Sequence, residues 1–424
     1  MPGTLLARLS MLMGECILDK TLMIIGGGVE QIPAYLAAKR RGLHVVGTDM
    51  SCDAPGLSYA DHRLHVSTRD SAATTLAAIA FNRSHHIDGV MTIANDVPYT
   101  VACVANALGL PSISLDAAMC VSDKQLMKER FLENSVACPW FTEIDSVESF
   151  RSYINAKPSS VFVLKPVDGR GARGVLLIDS DTDLEWAYSE SKRWGDCGRL
   201  ILEEFIPGLQ LSTESFIHQG ICYTAASGER NYSRLAQFSP NIIEDGGTIP
   251  ALIDEKLKTQ IDELILNGAH ALGIYEGIVK SDIVIDAAGR PMIIELAARL
   301  SGGWFATHQI PAATGVDLVE AVISYSLGDV IDPRSLIPTQ NRATAIRYWF
   351  PPQGRVESIH GEKELQNIPG LLAYSFFRKV GDMQPEIKMH PDRFGYVIVT
   401  GDTREEAILR VNAALACIHI EVKP

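Results

Sequence analysis

The chain has 424 residues, 46% hydrophobic and 21% charged, so it is long enough for two or three domains with a large core. Its 38 basic and 51 acidic residues give a net charge of −13, which disfavours non-specific binding to nucleic acid or to anionic membranes. The eight cysteines are scattered without a C-x-x-C pair, which is typical of reduced cytosolic thiols rather than of a disulfide framework or a zinc site.

The N-terminal part reads as alternating strands and helices. Residues 1–20 contain an apolar stretch broken by Glu15 and Asp19, which predicts an ordinary helix rather than a membrane span or a cleaved leader. The pattern that follows is typical of the βαβ opening of a doubly wound sheet. Its strands are expected at 21–28, 43–48, 89–93 and 112–114, and its helices at 31–41 and 99–108.

A partial dinucleotide fingerprint lies in this region. Gly26-x-Gly28 is followed after about 20 residues by Asp49, the spacing at which a dinucleotide fold places its ribose-binding acid. Gln31 stands where the third glycine belongs. An NAD(P)-dependent enzyme is therefore one hypothesis, but we favour a tight turn that holds no nucleotide.

The middle of the chain carries a candidate phosphate site. A helix is expected over 122–134, opening with Asp123 and Lys124. A strand over 161–165 ends at Lys165, and a glycine-rich loop at 168–174 leads into a strand over 175–178. Phosphate binding needs cations and closely approaching backbone N–H groups, and this strand–loop–strand unit supplies both. The alternative is a flexible surface hairpin.

The next segments could surround such a site. A strand over 200–206 carries Glu203 and leaves its sheet at Ile206, where backbone groups could face the edge of an adenine ring. Residues 230–250 are polar and irregular, which predicts a mobile loop over the site. The other expected elements are a hairpin at 211–217 and 221–226, a helix at 253–272, a linker at 333–340, and short strands with a helix at 403–416 in the C-terminal part.

The most informative pattern is a hairpin with strands at 281–286 and 291–296. If Asp286 pairs with Pro291, Asp282 faces Glu295 on the same side of the ribbon. Two opposed carboxylates repel each other unless a divalent cation lies between them. The alternative interpretation places Asp282 on a solvated edge and pairs Glu295 with Arg299.

Taken in order, these pieces resemble one family. Asp123-Lys124, Lys165 with its glycine-rich loop, the strand end at 203–208, Asp282, and Glu295-x-x-x-Arg299-x-Ser-Gly-Gly are similar to the ATP-grasp superfamily, in its carboxylate–amine ligase branch. The resemblance extends to L-amino acid ligases and biotin carboxylase-like enzymes. It implies an α/β and α+β multidomain fold. The expected parts are a Rossmann-like pre-ATP-grasp domain at 1–115, a two-lobed ATP-grasp domain at 116–336 with a mobile lid at about 135–205, and a small α+β domain at 337–424.

The resemblance also implies cofactors and residue roles. ATP would be bound by Lys124, Lys165, Gly171, Glu203, Ile206 and Gln210, and Mg²⁺ by Asp282 and Glu295. Arg299 would steady an acyl phosphate and the tetrahedral intermediate that follows. Two positions depart from the family pattern, because Ala297 replaces an asparagine ligand and Gln210 replaces a ribose-binding acid. Glu214 is a nearby substitute for that acid.

The implied activity joins a small-molecule carboxylate to a small-molecule amine through an acyl phosphate, with release of ADP and phosphate. Alternatives are a purine-pathway or bicarbonate-activating ATP-grasp enzyme, and a catalytically inactive nucleotide-binding protein. We expect a cytoplasmic protein with no nucleic-acid or membrane partner, and homodimer formation stays open. The sequence does not name the two substrates.

Overall fold

The computed structural model describes residues 20–157 and 159–424. The helix predicted over 1–20 lies, apart from Lys20, outside the described residues. Within the described part, no helix is long and apolar enough to cross a membrane.

The N-terminal region is a four-stranded parallel sheet in the order β3-β2-β1-β4, which confirms the Rossmann-like prediction. Its strands are β1 Thr21–Ile25, β2 His44–Asp49, β3 His62–His65 and β4 Gly89–Met91, and its helices are Ile32–Arg40, Ser71–Asn82 and Pro98–Leu108. The strand predicted at 112–114 is wrong. Ser114 instead caps the helix Leu115–Ser122, because its hydroxyl accepts the Ala117 N–H at 3.1 Å.

The fingerprint glycines form a turn that the chain itself closes. The Asp49 carboxylate accepts the Gly27 N–H at 2.9 Å and the Ser51 N–H at 2.9 Å. The Asp49 carboxylate therefore stabilises the turn by binding backbone N–H groups, which agrees with our prediction of a tight turn that holds no nucleotide.

A second sheet, antiparallel and ordered β5-β8-β6-β7, forms the segment predicted as a lid. Its strands are β5 Phe141–Ile144, β6 Phe162–Pro166, β7 Leu176–Ile178 and β8 Leu200–Glu204, and its helices are Val147–Ala156 and Leu184–Lys192. The helix Lys124–Glu133 leads into it, capped by the Asp123 carboxylate, which accepts the Gln125 N–H at 2.9 Å.

The largest sheet is antiparallel and has eight strands in the order β13-β12-β9-β10-β11-β14-β18-β16. Those strands are β9 Leu209–His218, β10 Ile221–Asn231, β11 Gly246–Ile249, β12 Gly277–Ile285, β13 Pro291–Ala297, β14 Ala343–Trp349, β16 Leu371–Phe376 and β18 Gly395–Gly401. Because β11 pairs with β14, the sheet runs unbroken across the predicted boundary at 336/337.

Residues 230–250 are not the irregular loop that the sequence predicts. They contain the short helix Leu235–Phe238 and strand β11, which lies between β10 and β14. Backbone pairing on both sides thus overrides the weak strand propensity of Gly246 and Gly247.

A small third sheet, β17-β15-β19, completes the C-terminal part. It consists of β15 Gly354–His360, β17 Met383–Gln384 and β19 His419–Lys423. The remaining α-helices are Glu255–Ala271, Ile310–Thr314, Leu318–Ser326, Glu362–Gln366 and Arg404–Cys417.

The β12–β13 hairpin places Asp282 opposite Glu295, as predicted, but by a different route. Pro291 pairs with Ile285 rather than with Asp286, which alone would shift the register by one residue. A β-bulge leaves Ile294 without a partner and restores the opposition of the two acids.

Candidate functional site

One cavity of about 760 Å³ collects the residues that the sequence singled out. Its walls come from the N-terminal region, the four-stranded antiparallel sheet β5–β8, the eight-stranded sheet and the segment before β18. All the predicted ATP, metal and acyl-phosphate residues line it: Lys124, Lys165, Gly171, Glu203, Ile206, Gln210, Asp282, Glu295 and Arg299.

Asp282 is a buried carboxylate surrounded by cations. It accepts a hydrogen bond from the Ser212 hydroxyl at 2.7 Å, pairs with an Arg230 nitrogen at 3.0 Å and contacts the Lys280 ammonium. Burial by itself raises the pKa of Asp282, but the charges of Arg230 and Lys280 lower it well below its usual range. Asp282 is therefore ionised and does not lie on a solvated edge.

Glu295 is held by Lys124, whose Nζ lies 3.3 Å from its carboxylate. Burial raises the pKa of Glu295, and the ammonium groups of Lys124, Lys280 and Lys165 bring it below the ordinary value. The alternative prediction of a Glu295–Arg299 ion pair is wrong, since Arg299 forms its ion pair with a different carboxylate.

The two acids fit Mg²⁺ that is bound together with phosphate. They supply hard oxygen donors on one face of a hairpin, and Mg²⁺ commonly takes one or two carboxylates plus phosphate oxygens and water. Among the described residues, no group of three or more His, Cys, Asp and Glu is placed to hold a metal. Ala297 offers no side-chain donor, and Lys280 lies opposite it in the register.

The candidate phosphate-binding lysine Lys165 shares the Glu203 carboxylate with a further lysine, Lys128. Lys165 Nζ lies 2.9 Å from one oxygen of Glu203, and Lys128 Nζ lies 3.4 Å from the other. Burial lowers the pKa of the fully enclosed Lys128. Lys124 also donates to the Gly169 carbonyl at 2.7 Å, which ties the helix Lys124–Glu133 to the glycine-rich loop.

That loop bends through left-handed backbone conformations. Gly171 has a φ of +62° and Ala172 a φ of +59°. The Gly171 carbonyl accepts the His390 N–H at 3.2 Å, so the loop tip touches the C-terminal part of the chain. Arg170 and Arg173 add positive charge to this wall of the cavity.

Arg299 pairs with Asp96 of the N-terminal region. Its Nε donates to the Asp96 carboxylate at 2.7 Å, its Nη2 contacts the same oxygen, and its Nη1 donates to the Leu300 carbonyl at 3.2 Å. The guanidinium is therefore fixed against the loop that continues through Ser301 and Gly302.

Gln210 lines the cavity, but the suggested substitute Glu214 does not. Glu214 is fully buried and accepts the Ser301 N–H at 3.0 Å, and it also contacts the Ser301 hydroxyl. Burial raises the pKa of Glu214 to about 7, although the two Ser301 hydrogen bonds oppose that rise. Glu214 thus supports the Ser301 loop from below, and its assignment as a ribose-binding acid is wrong.

Sequence reasoning missed several charged residues that line the cavity or, like Lys128, lie buried behind its wall. Lys128 follows Lys124 by four residues on one helix face, and Lys280 precedes Asp282 by two on one strand face. The spacing in the sequence could therefore have identified both residues. Glu30 and Arg393 could not be identified in this way, because each reaches the cavity from a loop or short turn far away in sequence. The Glu30 carboxylate accepts the Gly303 N–H at 3.0 Å, and its pKa is raised by burial, against opposing effects of Gly303 and Arg299.

Comparisons with known families agree with this architecture. Residues 35–112 match an ATP-grasp N-terminal domain, residues 121–303 an ATP-grasp domain, and residues 347–423 an L-amino acid ligase C-terminal domain 2. The chain belongs to the ATP-grasp superfamily.

Individual relatives are distant. Phosphoribosylamine–glycine ligase of Yersinia pestis is 25% identical over 283 residues, which cover 63% of this chain. The match spans 65% of that enzyme, less than two thirds of the enzyme's length. Dapdiamide A synthase of Enterobacter agglomerans is 22% identical over 389 residues, 85% of this chain and 86% of that protein. The L-amino acid ligase of Bacillus licheniformis shares the fold, with a TM-score of 0.81, 21% identity and coverage of 96% and 99% of the two chains.

Proposed function

We propose that this protein is an ATP- and Mg²⁺-dependent ligase that activates a carboxylate as an acyl phosphate and joins it to an amine, releasing ADP and phosphate. The observation that carries the proposal is the convergence of two lysines, two opposed acids and a fixed guanidinium on one cavity. The cavity volume of about 760 Å³ lies in the range of small-molecule sites, which supports small-molecule substrates.

The first step forms a bond between a substrate carboxylate oxygen and the γ-phosphorus, while the bond to the β-phosphate breaks and ADP leaves. Asp282 and Glu295 would hold Mg²⁺, which neutralises phosphate charge when bound. Lys165 and Lys124 would neutralise further negative charge by contacting the phosphate oxygens directly. Each exchanges its present carboxylate partner for a phosphate oxygen, so the site needs little rearrangement.

In the second step the amine nitrogen attacks the acyl carbon, the C–O bond to phosphate breaks, and the proton lost by the amine is taken up by the leaving phosphate. Negative charge develops on the acyl oxygen. We assign the Arg299 guanidinium, held by Asp96, to donate hydrogen bonds to that oxygen, because a planar, permanently charged group suits this role. No covalent nucleophile of the protein is required.

An ADP-release screen over a matrix of carboxylates and amines, with mass detection of products, tests this function. We expect ADP to appear only when both substrates are present, together with the mass of the amide. Bicarbonate is included among the carboxylates, because its use would favour the bicarbonate-activating alternative. ATP binding without turnover for any pair would support the inactive nucleotide-binding alternative.

We also propose that the protein acts in the cytoplasm, on the basis of its free thiols and its acidic charge. Light scattering of the purified chain determines whether it forms a homodimer.

A further inference from the structure

Besides Arg230 and Arg299, the cavity is lined by a buried guanidinium that has no carboxylate within ion-pair distance among the described residues. Arg393 lies on the segment that leads into β18 and is only 7% exposed. Its one side-chain hydrogen bond to the described chain runs from Nη2 to the Glu244 carbonyl at 2.6 Å. Its Nε is buried and has no hydrogen-bond partner among the described residues.

The other buried arginines of the cavity are neutralised. Arg230 pairs with Glu244 at 2.6 Å and with Asp282 at 3.0 Å, and Arg299 pairs with Asp96. A buried charge with no opposite charge costs free energy, and proteins usually pair such groups. No carboxylate of the described residues lies within 4.0 Å of Arg393, and the Glu30 carboxylate interacts with it only at longer range, so the guanidinium is open to an anionic partner from outside the protein.

The orientation of Arg393 is fixed. Its guanidinium stacks on the Tyr348 ring at 3.8 Å, and the Glu244 carbonyl holds one nitrogen. A stacked, tethered guanidinium loses little freedom when it binds an anion. Its planar set of N–H groups matches the two oxygens of a carboxylate.

Arg393 borders the reacting loop. Tyr348, on which it stacks, lies against Gly303, since a Cβ at Gly303 would be 3.2 Å from the Tyr348 hydroxyl oxygen. Gly303 in turn donates its N–H to Glu30 and follows Arg299 by four residues. A molecule bound at Arg393 therefore lies beside the Arg299–Gly303 loop, where the acyl group is expected.

We propose that Arg393 is a specificity-determining residue that binds a second carboxylate, carried by one of the two substrates in addition to the carboxylate that ATP activates. The proposal rests on the proposed ligase function. The second carboxylate can come from an amine substrate that is an amino acid, or from an acid substrate that is a dicarboxylate. Both sources present the same group to Arg393, and the experiment separates them.

The test uses the substrate pair found by the ADP-release screen. KM and kcat are measured for wild type and Arg393→Gln, with each substrate and with the analogue in which its second carboxylate is an amide. In wild type, the amide analogue of the substrate that contacts Arg393 should have a KM about 10- to 100-fold higher, the range expected for one charge-assisted hydrogen-bonded pair. In Arg393→Gln the acid and its amide should have similar KM values.

The substrate whose amide analogue shows this coupling identifies the source of the carboxylate. Equal losses for acid and amide in the variant would overturn the proposal, as would a preferred pair that has no second carboxylate. A larger ATP dissociation constant in Arg393→Gln than in wild type, measured by calorimetry, would show instead that Arg393 neutralises the triphosphate.

Arg378→Gln is the matched control. Arg378 donates to the carbonyls of Pro391 and Arg393 and so supports the same segment, but its guanidinium does not line the cavity. Its KM values should equal those of wild type, and the melting temperatures of both variants report whether the segment still folds.

If the ligase activity is not found, the anion site at Arg393 can still be tested by measuring binding alone. If no pair releases ADP, succinate and its monoamide, and alanine and its amide, are titrated by calorimetry in the presence of a non-hydrolysable ATP analogue. Acids that bind wild type at least 10-fold more tightly than Arg393→Gln support the anion site. Equal binding to both proteins rejects it.

Discussion

Two sets of charged residues share the cavity and differ in how they are neutralised. The paired set consists of Lys124, Lys165, Glu203, Asp282 and Glu295, each of which contacts an opposite charge. The unpaired set consists of the two charges beside the Arg299–Gly303 loop, Glu30 and Arg393. In the part of the chain that the structure describes neither forms an ion pair within 4.0 Å, although their charges interact at longer range.

The difference separates two tasks. Phosphates and Mg²⁺ bring large and constant charges, and the paired set can exchange its internal partners for them with little change in net charge. The unpaired set cannot do this, so it depends on charges that arrive with the substrates. We infer that the paired set serves nucleotide chemistry and the unpaired set serves substrate choice, and the following changes test that division.

Glu295→Gln should have the largest effect. The amide keeps the shape of the side chain but can neither balance Lys124 nor serve as an anionic magnesium ligand, so kcat should fall by about 1,000-fold while the fold persists. ADP release at several Mg²⁺ concentrations measures the loss. Asp286→Asn, in the turn of the same hairpin, is the control and should keep its rate. Near-normal turnover in Glu295→Gln would remove the metal assignment.

Arg299→Lys should come next, with a loss of about 100-fold in the amide-forming rate. Lysine can keep a charge contact with Asp96, but it lacks the second donor that a guanidinium offers to the acyl oxygen. ATP affinity and melting temperature should stay close to wild type. A variant that melts much earlier but retains its rate when folded would show that Arg299 supports architecture rather than catalysis.

Lys165→Ala should weaken ATP binding by about 10-fold, measured by calorimetry. Glu203 keeps Lys128 as a neighbour, so the sheet β5–β8 should stay folded. Lys192→Ala, at an exposed position of the helix Leu184–Lys192 beside the same sheet, should bind ATP normally. Hydrogen exchange gives a second reading: if nucleotide protects residues 26–49 and leaves 165–175 unchanged, the dinucleotide hypothesis would replace the present site.

The sequence revealed the paired set because those residues lie on regular strands and helices. Side chains alternate along a strand, so opposing Asp282 to Glu295 required only a register, and motif order supplied the rest. The actual register depends on a bulge at Ile294, which could not be predicted from the local sequence. The correct opposition was thus reached from an incorrect turn.

The contacts across the cavity could not be read in this way. Arg299 and Asp96 are 203 residues apart, and only the packing of the N-terminal region against the large sheet brings them together. Strand β11 was missed for a similar reason, since its glycines favour a loop locally and its two neighbouring strands decide otherwise. Glu30 and Arg393 have no motif around them, so the substrate side of the site emerged only from the structure.

The smallest effect concerns Glu214, which lies beneath the loop that joins the two sets. Burial raises the pKa of Glu214 to about 7, whereas an unfolded chain gives glutamate a pKa near 4.5. Between these pH values the folded protein keeps a proton that the unfolded chain has lost, so this group makes the protein less stable as pH rises from about 4.5 to about 7, and the loss persists above that range. Glutamine is uncharged, can accept the Ser301 N–H and can bond to the Ser301 hydroxyl.

Glu214→Gln should therefore show a smaller fall in melting temperature between pH 5 and pH 8 than wild type, by about 2–4 °C. Thermal unfolding at the two pH values measures this difference. Glu263→Gln, at an exposed position of the helix Glu255–Ala271, should follow the wild-type profile. A Glu214→Gln profile parallel to wild type would show that the buried carboxyl does not take up a proton in the folded state. The loop between Arg299 and Gly303 would then rest on a permanently charged group.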